Sequence, residues 1–79
     1  MQKITGAQLK AARALLQITS EELAKLAGLG LATVRRAELA AGEIRMIPAN
    51  AAALIRALEA AGIEFISDKD GRGVKLKNR

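Results

Sequence analysis

The sequence contains no cysteine and no histidine. Thiol catalysis, the commonest zinc sites and imidazole acid–base chemistry therefore drop out together. The lack of cysteine also fits a reducing cytoplasm. Tryptophan and tyrosine are missing as well, and Phe65 is the single aromatic residue. The core must then be built from Leu, Ile, Val and Ala, whose small side chains allow close helix packing but bury little area each. In a chain of 79 residues, near the lower end of what buries a self-sufficient core, this predicts help from dimerisation. No apolar run approaches the ~20 residues of a membrane-spanning helix and no signal peptide is visible, so a cytoplasmic protein is expected. The carboxylates are scattered over helix surfaces and caps, without metal spacing or a nucleophile–base pair. Neither a metal, nor a cofactor, nor an enzymatic activity is expected.

What is present is apolar and basic. Hydrophobic residues make up 51% of the chain, the net charge is +5 and the pI is about 10.3. That balance favours an acidic partner. Arg35, Arg36 and Arg45 cluster mid-chain, and Arg72, Lys75, Lys77 and Arg79 crowd the C-terminus. There is no internal repeat, low-complexity segment or long linker, so one domain is expected.

The most informative stretch is 19–38, TSEELAKLAGLGLATVRRAE. Thr19 and Glu22 have the spacing of a capping box, in which each side chain accepts from the other's backbone N–H. Leu23, Ala24, Leu26 and Ala27 then make an apolar face at helical spacing. Gly28 falls where a sharp turn needs positive φ, and Leu29 can plug the corner. A second helix starts near Gly30 or Leu31 and buries Val34 and Ala37 while turning Arg35 and Arg36 outward. This is the anatomy of a helix-turn-helix, whose second helix enters the DNA major groove.

L-A-x-x-A-G-L over Leu23–Leu29, then Val34 and Glu38, resembles the phage-repressor or Xre-type helix-turn-helix family across roughly residues 5–61. The resemblance implies a mainly α fold: a four-helix lambda-repressor-like domain over residues 1–62, followed here by an extension, 63–79. It also implies an ion pair between Arg13 and Glu38, with two parallel hydrogen bonds locking the first helix against the third. Two positions depart from the family pattern: Ser20 stands where glutamine is usual, and Gly30 where a serine or threonine cap is usual. Dimeric repressors or autoregulatory controllers of phage, plasmid or other mobile-element genes are the functions the resemblance implies.

Around that motif, Thr5 and Gln8 form another capping box, so helix 1 should run from about Gly6 to Leu16, with Leu9, Ala12 and Leu16 inward. Helix 2 should cover about Ser20–Ala27, and helix 3 about Leu31–Ala40. In the loop 43–49, Ile44, Met46 and Ile47 are too apolar to be wholly solvated. Pro48 suits the first turn of helix 4, which should end at Ala61 with an inner stripe of Leu54, Ile55 and Leu58. Two alternating segments, 63–67 and 73–77, flank the turn-rich 68–72 and predict an antiparallel β-hairpin. Two strands alone are marginal in water. Ile63, Phe65, Val74 and Leu76 should therefore face either another subunit, as a dimer interface, or the chain's own helices.

The expected function is sequence-specific binding of double-stranded operator DNA by a homodimer, regulating transcription with helix 3 in the major groove. Leu31, Ala32, Arg35 and Arg36 are the candidate base contacts: arginine can bond guanine O6 and N7, and the apolar pair can meet thymine methyls. Thr19, Ser20, Thr33 and Arg45 are the candidate phosphate contacts. The same scaffold could touch RNA polymerase or another protein. The rival expectation is a protein-interaction module, antiactivator or antitoxin-like, favoured by the apolar run Gly30-Leu31-Ala32.

Overall fold

The computed structural model describes residues 3–78; Arg79, counted above among the C-terminal cations, lies outside them. Four helices, α1 (Gly6–Leu16), α2 (Ser20–Ala27), α3 (Leu31–Glu38) and α4 (Pro48–Ala60), precede an antiparallel hairpin of β1 (Ile63–Asp68) and β2 (Gly71–Leu76). Both capping boxes form. Thr5 Oγ1 accepts from the Gln8 amide at 3.0 Å while Gln8 Oε1 accepts from the Thr5 amide at 2.9 Å, and Thr19 and Glu22 repeat the pattern at 3.0 and 2.9 Å. Pro48 is the first residue of α4, with Ile47 as its extended N-cap.

α3 stops at Glu38 rather than continuing to Ala40. Beyond it the chain turns back to meet the N-terminal segment: the Gly6 amide donates to Gly42 O at 3.1 Å and the Ile44 amide to Ile4 O at 2.9 Å. This pairing gives backbone groups just beyond α3 partners outside any helix, and it lies beside Ile4, which is buried.

Leu9, Leu23, Val34, Leu54 and Leu58, at least one from each helix, meet in the core together with Ile63. Ile44 and Met46 pack against it, whereas Ile47, the N-cap of α4, is 63% exposed. Leu26 is likewise 58% exposed, off the face that Leu23 and Ala24 bury. Among the described residues no helix is long and apolar enough to cross a membrane.

The hairpin strands are longer and their turn tighter than the sequence pattern predicts. The register runs from Ile63↔Leu76 to Asp68↔Gly71. Asp68 Oδ1 accepts from the amides of Asp70 and Gly71 at 2.8 and 3.1 Å, which replaces the expected loop by a side-chain-bonded turn. β2 lies against α1 and β1 against α4. Ile63 and Phe65 are buried within the single chain, at 1% and 8% exposure, and cannot face a partner; Val74 is half-buried and only Leu76 is exposed. Of the two destinations open to this apolar face, the chain's own helices take it, because they offer the nearest apolar cover.

One polar residue fastens this arrangement. Gln8 is buried, and its amide nitrogen donates to Ile66 O at 3.0 Å and Gly73 O at 2.9 Å, facing carbonyls of one cross-strand pair. The side chain that caps α1 through its oxygen thus holds the hairpin through its nitrogen.

Candidate nucleic-acid interface

α2 and α3, each of eight residues, are joined by the turn Gly28-Leu29-Gly30. Gly28 takes φ +70°, a conformation that costs other residues about 1 kcal/mol. The Leu29 amide returns to Ala24 O at 2.9 Å, closing α2, and the Leu29 side chain packs on the core. α3 then leaves Gly30 without a side-chain cap. Val34, Ala37 and Glu38 point inward, Leu31 and Thr33 are half-buried, and Ala32, Arg35 and Arg36 are exposed. Of the candidate base contacts, Ala32, Arg35 and Arg36 are therefore outward on one short helix, and Leu31 is only partly so.

The inner side of that helix is held by a carboxylate. Glu38, 6% exposed, accepts from Arg13 Nε at 2.7 Å on Oε2 and from the Ser20 hydroxyl at 2.9 Å on Oε1. Arg13 Nη1 also reaches Ile18 O at 3.2 Å, in the α1–α2 connection. The ion pair implied by the resemblance is present, but it is one bond rather than two parallel ones: Arg13 Nη1 turns to Ile18 O, and Ser20 donates to the second carboxylate oxygen. A buried carboxylate is tolerated only when paired and hydrogen-bonded, and here both oxygens are satisfied. Nothing in the sequence marked Ser20 for this contact, since it stands 18 residues from Glu38.

The phosphate candidates divide accordingly. The Ser20 hydroxyl spends its only hydrogen on Glu38, leaving the Ser20 backbone N–H, in the first turn of α2, as the group able to meet an anion. The Thr19 hydroxyl accepts from the Glu22 amide and keeps its own hydrogen for another acceptor. Thr33 and Arg45 come together with Arg36 around a surface groove between α3 and the start of α4, to which Asn50 adds a further polar side chain.

The arginines separate by their partners. Arg13 is bound to Glu38 and Arg72 to Glu43, whereas Arg35, Arg36 and Arg45, and Arg56 on α4, are exposed and have no acidic partner among the described residues. Arg36 and Arg45 also line a second groove that runs past Gly42 to Glu43. Glu43 is the one carboxylate there. The Arg72 hydrogen bond, at 2.8 Å, holds its carboxyl below the usual range against an opposing desolvation, with the charges of Lys3 and Arg72 acting in the same direction as the bond. Arg72, read from the sequence only as part of a basic tail, thus neutralises the acidic edge of this surface.

Comparison of the sequence with protein-family models and with curated proteins finds no match.

Proposed function

We propose that the chain is a sequence-specific DNA-binding transcriptional regulator that acts as a homodimer on an inverted-repeat operator, with α3 in the major groove. The observation that carries this reading is the clustering of unpaired arginines: of the four exposed arginines without an acidic partner among the described residues, Arg35, Arg36 and Arg45 stand beside the outward face of a helix set by a short turn, and only Arg56 lies elsewhere, on α4. Unpaired guanidinium groups neutralise phosphates and, in the groove, can bond guanine bidentately. Arg36 is the principal base reader in this reading, with Arg35 beside it and Leu31 and Ala32 against thymine methyls. The few polar readers leave part of the specificity to DNA shape. Dimerisation would use surface other than Ile63 and Phe65, which the monomer core consumes.

The test is selection of binding sites by the purified protein from random duplex DNA at controlled salt. The expected result is an inverted repeat whose half-site centres lie one helical turn, roughly 34 Å, or a whole multiple apart. Inserting about five base pairs between half-sites should then abolish tight binding by placing them on opposite faces.

A second reading, a protein-interaction module of antiactivator or antitoxin type, draws on the uncapped, apolar start of α3 at Gly30, Leu31 and Ala32 and on the exposure of Leu39, at 80%. Absence of any enriched motif at low salt would favour it.

A further inference from the structure

We infer that Ser20 is a positioning residue for DNA recognition: its bond to Glu38 sets where the start of α2 stands relative to the base-facing side of α3. The inference rests on the regulator reading above.

The turn Gly28–Gly30 joins the C-terminal end of α2 to the N-terminal end of α3. Ser20 is the first residue of α2 and Glu38 the last of α3, so their 2.9 Å bond joins the two opposite ends. The helix pair is therefore clamped at both ends, covalently at the turn and by one hydroxyl at the other. Arg13 extends the clamp to α1 through the second carboxylate oxygen. Without the Ser20 hydroxyl, no direct bond would tie the end of α3 that carries Arg35 and Arg36 to α2: its remaining fastenings, Arg13 and the backbone approach of Gly6, run to α1, and apolar packing is not directional.

The chemistry of the hydroxyl excludes the simpler role. A phosphodiester oxygen only accepts hydrogen bonds, and a serine has one hydrogen to donate. Donating it to DNA would strand Glu38 Oε1, an oxygen of a buried carboxylate, without that partner. Ser20 consequently acts through α3 and not on the DNA backbone. Nonspecific binding, which is mostly charge attraction to phosphates, tolerates a tilt of α3. Operator binding does not, because phosphate contacts at the start of α2 and base contacts from α3 must be met in one register.

The experiment measures affinities of the full chain for the selected operator and for a random-sequence duplex, each across a salt series, for the wild type and for Ser20→Ala and Ser20→Thr. Ser20→Ala should lower the operator-to-random ratio about tenfold, on the scale of one lost base-pair contact, with the salt slope unchanged. Ser20→Thr keeps a hydroxyl and should recover most of the ratio. If the alanine variant is too unstable to assay, Ser20→Cys under reducing conditions keeps the shape with a much weaker donor, and the same fall in ratio is expected. Equal weakening on both duplexes with a slope shallower by about one would make Ser20 a phosphate contact and overturn the inference. A lower melting temperature with an unchanged ratio would overturn it too, by reducing the bond to a stability role. A wild type without operator preference would instead remove the regulator reading, and this inference with it.

Discussion

Gly6 approaches Ala40 so closely that a β-carbon on Gly6 would stand 2.6 Å from the Ala40 carbonyl oxygen, with the carbonyls of Ala37 and Glu38 each at 2.9 Å. The amino end of α1 is thus pressed on the carboxyl end of α3. The contact brings opposite ends of two helix dipoles together. It also fixes the proposed recognition helix to the rest of the domain through backbone alone, where no side chain could give way.

Gly6→Ala should therefore destabilise the protein by about 2 kcal/mol or more, although alanine is the better helix former by about 1 kcal/mol. Urea unfolding of the two proteins checks this. An unchanged midpoint would mean that α1 and α3 do not approach as closely as found here.

Gln8→Glu discriminates between the two jobs of that side chain. Glutamate serves a capping box as well as glutamine does. It cannot donate to Ile66 O and Gly73 O, and it would set a charge against two carbonyls. A loss of about 3 kcal/mol at neutral pH is expected, larger than the ~1 kcal/mol of a cap alone. Stability should partly return in acid, where a protonated carboxyl can donate; a neutral effect at pH 7 would show that the hairpin does not depend on this residue.

Gln17 ends α1 with φ +57°, a left-handed conformation in a residue that has a side chain. Gln17→Gly should raise stability by roughly 0.5–1 kcal/mol, since relief of strain outweighs the greater freedom of the unfolded chain. Calorimetry should record a melting temperature a few degrees higher; a decrease would show that the strain is already relieved.

Arg13→Ala removes the charged partner of a carboxylate whose side chain is 7% exposed. Because the arginine itself is 27% exposed, water can reach the site, and a cost near 3 kcal/mol is expected, at the low end for breaking a buried pair. Below the lowered melting point, operator preference should survive. Full stability combined with lost DNA affinity would reverse the assignment.

Arg36→Ala should cost ~1–3 kcal/mol on the selected operator and relax preference at one position in each half-site. On random DNA the loss should be smaller, limited to one charge. Equal loss on both would move Arg36 from base reading to phosphate binding.

What the sequence by itself determined lies within a turn or two of helix. Thr5 with Gln8 and Thr19 with Glu22 place two helix starts, Gly28 and Pro48 place a turn and a start, and spacing alone picks Leu9, Leu23, Val34, Leu54 and Leu58 for the interior. Such signals are legible because partners three or four residues apart meet in any helix, whatever surrounds it. The Arg13–Glu38 pair was reachable only through a family resemblance, and its geometry differs from the one implied, with one bond from Arg13 and the second oxygen bonded to Ser20. Tertiary structure decided the rest: the close approach at Gly6, the early end of α3, the exposure of Leu26 and the inward turn of Ile63 and Phe65. It alone brought Gln8 to Gly73, 65 residues away, and Arg72 to Glu43, 29 away. Those contacts depend on where helices cross and on which face of a hairpin finds cover, and local spacing carries no record of either.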